Sequence, residues 1–360
     1  MGERNILEIL KKRPVLGDGS YVVTLERRGY VTAGHWTPEA VLDHPEAVAQ
    51  LHREFQRAGA DVLQAFTFYS ADGKLRSLGK TVTTEALNQK ACDIVWDVVG
   101  PGSTLVCGSI SPTPSFLNGE PDDVIRGEFK KQCDILVKNK ADFLLAEFIG
   151  HIREAELAIE VMKTYNLPVA CTLKIGPTGD WNDISVGDCA VRMARAGADI
   201  VGVNCNFDPN TSIKTLKLMK QRLDEEGMDV FLMAQPLGFH FPEMENDKDG
   251  YINHRSCPFS LEHRLISRWD AAKFAREAFE LGVRYIGGCC GFEPYHIRQI
   301  AEELAAERGF LAPGVECCPP NCEGLKFSQF DSNVSRASNQ YWMKLTEDLA
   351  KQREATLAPK

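Results

Sequence analysis

A three-part unit recurs along the chain: an amphipathic stretch of helical period, a stop of small residues, then a short apolar run of strand length. Arg57-Ala-Gly-Ala-Asp-Val-Leu and Arg195-Ala-Gly-Ala-Asp-Ile-Val are near copies, and Lys138-Asn-Lys-Ala-Asp-Phe-Leu and Leu281-Gly-Val-Arg-Tyr-Ile are looser ones. Glycine after a helical stretch is a frequent C-cap, which gives the repeat a mechanism. Eight apolar runs centre on Val15, Val62, Leu105, Phe143, Val169, Ile200, Phe231 and Tyr285. A helical pattern follows each. Val48, Leu51, Phe55 and Ala58 share one face, and Ile297, Ile300 and Leu304 share another. Parallel-type strands alternating with helices in this way predict an α/β fold, a (β/α)8 TIM barrel over residues 1–309. A doubly wound sheet is the alternative, and the even spacing of the units favours closure.

A barrel places its chemistry at the C-terminal ends of its strands. Asp18, Phe68 with Tyr69, Glu147, Cys205 and Cys289 with Cys290 lie at such ends, after strands one, two, four, six and eight. Alternate strands contribute to one interior layer, so strands six and eight are placed to share a ligand. The stretch from Pro236 to Trp269 is long for a connection in this fold and reads as a lid or a subunit contact. Past residue 309 the repeating unit stops. A Pro-rich stretch to Pro320 leads to a terminal helix near Tyr341–Lys351. Residues 310–360 are therefore expected to form a C-terminal oligomerisation arm, packed on a neighbouring subunit in a dimer or tetramer.

Composition narrows the class. Of the 360 residues, 44% are hydrophobic and 25% charged, ordinary for a globular protein with a large core. A net charge of −9 argues against a nucleic-acid partner, which needs a basic face. No apolar run approaches the ~18 residues of a membrane span, and the opening Met-Gly-Glu-Arg-Asn-Ile has no apolar signal core. The expected location is cytoplasmic. In that compartment the twelve cysteines are expected as buried, catalytic or metal-bound thiols rather than disulfides. No Gly-x-Gly-x-x-Gly opens a helix and no phosphate loop appears.

The densest chemical signal is Tyr285-Ile-Gly-Gly-Cys-Cys-Gly, with Cys205 closing a second strand-like run, Ile200-Val-Gly-Val-Asn-Cys. Three thiolates make a zinc site with one open corner, a place for chemistry. Neighbouring residues of a regular strand face opposite ways, so Cys289 and Cys290 share a metal only where Gly287, Gly288 and Gly291 let the strand break. A redox pair and simple core thiols are the competing readings. Cys92, Cys107, Cys133, Cys171 and Cys189 fall inside helix or strand patterns and read as core. Cys317, Cys318 and Cys322 in the tail read as exposed thiols or an adventitious site. Asp18, in Gly17-Asp-Gly-Ser20, reads as a turn residue or as the holder of an ammonium, with the amides of the turn holding a carboxylate. Glu147 follows an apolar strand, where an unpaired charge is costly. Two carboxylates converging on one mouth suit an amino-acid substrate. Trp36 and Tyr69 are aromatics after strands one and two, read either as core or as a cage for a quaternary ammonium or sulfonium.

Taken together, the Gly-Asp-Gly turn, Trp36-Thr-Pro-Glu-Ala, Phe66-Thr-Phe-Tyr69, Val203-Asn-Cys205 and Gly287-Gly-Cys-Cys-Gly-Phe-Glu-Pro-Tyr-His-Ile-Arg298 resemble the zinc-dependent homocysteine S-methyltransferases, in particular those that use betaine. The likeness runs from about residue 5 to 310 and weakly to Tyr341-Trp342. It implies a barrel carrying one Zn2+ on Cys205, Cys289 and Cys290, with homocysteine sulfur at the open corner. It further implies Asp18 and Glu147 on the amino acid's ammonium, Gly19 and Ser20 near its carboxylate, and Trp36 and Tyr69, next to Phe68, around the betaine. Three departures stand out. Ala146-Glu-Phe-Ile-Gly-His151 places Phe148 where the family usually has Tyr, Ala65 stands where Thr is frequent, and Ser328-Gln-Phe-Asp-Ser332 replaces a His-Thr-Lys-Pro-Trp run. Ser20 resembles the relatives that use S-methylmethionine, whereas Tyr69 resembles the betaine users. The expected reaction gives methionine and dimethylglycine; the alternatives are a sulfonium donor (S-methylmethionine or dimethylsulfoniopropionate) and a redox-sensing or structural zinc protein.

Overall fold

The computed structural model describes residues 4–32, 39–77, 81–258 and 260–313, with 344, 345, 347, 348 and 351 of the tail. Each expected strand is present: β1 Val15–Leu16, β2 Val62–Gln64, β3 Leu105–Ile110, β4 Phe143–Ile149, β5 Val169–Leu173, β6 Ile200–Asn204, β7 Phe231–Gln235 and β8 Val283–Ile286. They form one 8-stranded sheet in the order β1-β8-β7-β6-β5-β4-β3-β2, and every pair is parallel. The main helices follow in turn: α1 Pro45–Ala58, α2 Thr84–Val99, α3 Asp122–Lys138, α4 Ile152–Met162, α5 Val186–Ala196, α6 Pro209–Glu225, α7 Arg268–Leu281 and α8 Pro294–Glu303. The architecture is a nearly closed (β/α)8 barrel.

The repeated Ala-Asp step has a structural reason. The carboxylates of Asp61, Asp142 and Asp199 accept the backbone N–H of Leu16, Val106 and Val169 at 2.8, 2.7 and 2.8 Å. Each aspartate opens one strand and satisfies an amide near the start of the strand before it. Gly59 and Gly197, just upstream, end their helices at φ of 110° and 109°. Between β1 and β2, where the sheet is not laddered, such contacts close the seam. Asp61 N–H donates to the Leu16 carbonyl at 2.8 Å, and the Asp18 carboxylate accepts the Gln64 N–H at 2.8 Å.

Strand alternation sets the interior. Val62, Leu105, Phe143, Leu145, Ile200, Met233 and Tyr285 fill the lower barrel, plugged from below by Ile6 and Leu10 of an N-terminal helix, Ile6–Lys12. Two residues further along their strands, the same inward rows reach Gln64, Glu147 and Gln235. The interior therefore turns from apolar to polar toward the C-terminal ends. The other face of each strand packs under the helices, where Leu63, Leu144, Ala146 and Val201 join Leu51, Phe129, Ala158 and Met193. Cys92, Cys107, Cys133, Cys171 and Cys189 are all buried, as core thiols should be.

The long Pro236–Trp269 connection forms a wall over one side of the mouth. It contains short 3-10 turns, Pro242–Met244, Gly250–Asn253 and Glu262–Arg264, and brings Phe239, Phe241, Tyr251 and Leu261 into a cluster with Phe148 and Cys205. No helix among the described residues is long and apolar enough to cross a membrane. Trp36, Cys317, Cys318, Cys322 and nearly all of the expected C-terminal arm lie outside the described residues.

Candidate active site

The thiols meet because two strand ends break. Directly after β6, Cys205 and Asn206 adopt φ of 56° and 51°, and the Cys205 N–H donates to the Gln235 carbonyl at 2.9 Å. Beyond β8 the chain crosses to the segment after β7: Cys289 N–H donates to Pro236 O at 2.9 Å, and Gly238 N–H to Cys290 O at 2.7 Å. This crossing needs glycine. A Cβ on Gly288 would lie 2.0 Å from the Phe292 side chain, and Gly291 has φ of 87°. The outcome is three Sγ atoms within 4.8 Å of one another. Zinc–sulfur bonds of about 2.3 Å in a tetrahedron put ligand sulfurs about 3.8 Å apart, so this trio fits a zinc ion. The electrostatics agree. Hydrogen bonds from Cys205 and Cys289 hold the Cys290 thiol well below its ordinary range, while Cys289 is pushed up by its contacts with Cys205 and Cys290. One thiolate suppresses ionisation of its neighbours, and a divalent cation removes that conflict.

Across the same cavity stand two buried carboxylates. Asp18 is 2% exposed and Glu147 is 7% exposed. Gln64 links them: its backbone N–H donates to Asp18 and its side-chain amide to Glu147. Tyr21 Oη donates to Asp18 at 2.9 Å. Burial raises both acids, Asp18 to about 7 and Glu147 to about 8, against the pull of their hydrogen-bond donors. Glu147 sits where β4 shifts register; the strand continues past it to Ile149 rather than ending there. The next residue, Phe148, takes φ of 62°, held by its N–H donating to Asn204 Oδ1 at 2.9 Å.

Gly19 and Ser20 lie at the lip beside Asp18, and the Ser20 N–H donates to Phe292 O at 2.9 Å. The cavity, about 730 Å³ including its open mouth, is lined by Asp18, Gly19, Ser20, Phe68, Glu147, Phe148, Cys205, Cys289 and Cys290, among others. The Phe68 ring lies tilted on Tyr69 with centroids 4.2 Å apart and meets Phe148 edge-on at 5.4 Å. Tyr69 stands behind Phe68, with the Lys74 ammonium 4.3 Å from its ring centre.

The family called homocysteine S-methyltransferase matches residues 15–304. The chain belongs to that family. It is 52% identical over 335 residues to betaine–homocysteine S-methyltransferase 1 of Xenopus tropicalis, a match covering 92% of this chain and 83% of that protein. The Rattus norvegicus enzyme of the same name is 49% identical over 348 residues, covering 95% and 85%. The S-methylmethionine–homocysteine S-methyltransferase of Pongo abelii is 48% identical over 349 residues, covering 95% and 93%. Among solved structures, the metallated homocysteine methyltransferase MmuM of Escherichia coli superposes with a TM-score of 0.63 at 17% identity, over 81% of this chain and 97% of that one. This last likeness is one of fold.

For this family member, Asp18, Gly19, Ser20, Phe68, Glu147 and the three cysteines share one mouth, as the strand-end reading expected. Gln64, Tyr21 and Tyr251 were missed. Gln64 left a signal, a polar residue ending an otherwise apolar strand run. Tyr251 left none, because it arrives from the middle of a 34-residue connection, Pro236 to Trp269.

Proposed function

We propose that this methyltransferase moves a methyl group from betaine to homocysteine, giving methionine and dimethylglycine, with one zinc ion held by Cys205, Cys289 and Cys290. The observation that carries this reading is the pairing of three clustered thiols with two buried carboxylates in one cavity. Zinc bound there lowers the pKa of a thiol at the open corner, so that the thiolate predominates at neutral pH. Asp18 and Glu147 bind the homocysteine ammonium, and the Gly19–Ser20 turn faces its carboxylate. Phe68 and Trp36 surround the cationic donor, with Tyr69 packed behind Phe68. The thiolate electron pair forms the S–CH3 bond as the C–N bond breaks, and its electrons leave on the neutral amine of dimethylglycine. No protein base acts in that step; alignment of the two substrates supplies the catalysis, a term worth about 7–11 kcal/mol at most. The tail from residue 310 is assigned to subunit contacts of a homo-oligomer, and the protein to the cytoplasm.

The carboxylates give a pH signature that can be read without the thiol. Methionine binds through the same ammonium but has no titrating sulfur. An ammonium holds both acids ionised, so binding draws their pKa values below the free values of about 7 and about 8. Affinity is therefore full well above 8 and declines as pH falls through 8 and then 7, approaching tenfold per unit for each acid protonated in the free site. Calorimetric titration of methionine between pH 6 and 8.5 should show this decline together with proton release on binding. A flat profile removes the ammonium role of these residues.

Trp36→Ala should raise the KM for betaine by about 30-fold, the equivalent of about 2 kcal/mol of desolvated cation–π attraction, with little change for homocysteine. Initial rates with betaine, S-methylmethionine and dimethylsulfoniopropionate test the donor. The sulfonium reading shares every thiol and carboxylate. It wins if only sulfonium compounds yield methionine.

A further inference from the structure

Of the tyrosines that line the cavity, Tyr21 is committed elsewhere. Its hydroxyl donates to Asp18 at 2.9 Å and lies 2.7 Å from His52 Nδ1. Tyr251 is different. It is 3% exposed and lines the cavity beside Cys205, Cys289 and Cys290. Its side chain packs in one cluster with Cys205, Cys289 and Cys290. Its backbone N–H donates to the Asn206 carbonyl at 3.1 Å, tying it to the turn that carries Cys205. Its ring leans on Phe241 with centroids 5.8 Å apart. Phe148, at the end of β4 in the same cluster, has no hydroxyl to offer.

We infer that Tyr251 is a positioning residue for the metal centre, its phenol O–H donating to the Cys290 thiolate and tuning that sulfur as a ligand. This inference rests on the proposed zinc site and deepens it. A hydrogen bond to a ligating thiolate withdraws electron density from the sulfur. It also fixes the direction of the sulfur lone pairs, and outer partners of this kind set metal affinity. Here the donor comes from the Pro236–Trp269 wall, so the connection shapes the chemistry of the site as well as covering it.

The test uses two variants of the full chain. Tyr251→Phe keeps the ring and its packing on Phe241 and removes only the hydroxyl; Tyr251→Leu removes both. Zinc affinity is measured by chelator competition. The metal-free proteins are also loaded with Co2+ to record the sulfur-to-cobalt charge-transfer band. We expect Tyr251→Phe to bind zinc about 10- to 100-fold more weakly and to shift the cobalt band to lower energy, because a thiolate without its donor is easier to oxidise. If Tyr251 only fills space, Tyr251→Phe will match the parent in both measurements and only Tyr251→Leu will differ; that result overturns the inference. A parent protein that binds neither zinc nor cobalt defeats the zinc reading itself, a distinguishable outcome.

Discussion

Cys290→Ala will fold, lose its zinc and stop making methionine. The first expectation follows from placement: Cys290 lies beyond β8 in a turn held by main-chain contacts, where the Cys290 carbonyl accepts the Gly238 N–H at 2.7 Å. Those contacts survive the loss of a side-chain sulfur. The metal does not survive it. On a scale of about 10–16 kcal/mol for structural zinc sites, one ligand of four is worth roughly 3 kcal/mol, or more than 100-fold in affinity. A two-thiolate site also has less charge to hold the ion. Metal analysis after dialysis, with circular dichroism to confirm the fold, reads this directly. Retention of zinc and activity in Cys290→Ala would mean that the ion sits elsewhere.

Glu147→Gln should fall mainly on homocysteine. The variant keeps shape and the contact with the Gln64 side chain, but it cannot ionise to meet the substrate's ammonium. Binding the substrate's ammonium against a neutral amide leaves a buried charge half-paired. Breaking a buried pair costs about 3–5 kcal/mol, so kcat/KM for homocysteine should drop by roughly 10²- to 5 × 10³-fold. The KM for betaine should stay near its parental value. Glu147 is a cleaner probe than Asp18, whose carboxylate also accepts the Gln64 N–H across the β1–β2 seam. Equal losses for both substrates would show that Glu147 shapes the whole mouth instead of holding one ammonium.

The barrel was legible because its repeat is written in local chemistry. The Gly-Ala-Asp step signals a helix end, and its aspartate then caps the neighbouring strand, so the same residues punctuate the sequence and close the sheet. The site was legible at strand ends, where period-two alternation brings Glu147 into the row of Phe143 and Leu145. Two features escaped. The left-handed turns at Phe148 and Cys205 have no glycine to announce them, and they depend on contacts to Asn204 and Gln235 from other strands. Tyr251 reaches the thiols through a connection whose path is set by tertiary packing on Phe239, Phe241 and Leu261. The donor pocket is legible only in part, since Trp36 lies outside the described residues while Phe68 and Phe148 face the cavity.

Transfer of a betaine methyl group to homocysteine sulfur at a zinc site can be followed by isotope. Zinc-loaded protein should be given homocysteine and betaine labelled in its N-methyl carbons, and the products weighed by mass spectrometry. Labelled methionine and dimethylglycine should form in equal amounts, and neither after zinc is stripped. Methionine formed only from a sulfonium donor, or labelled methionine made equally well by the stripped protein, would contradict it.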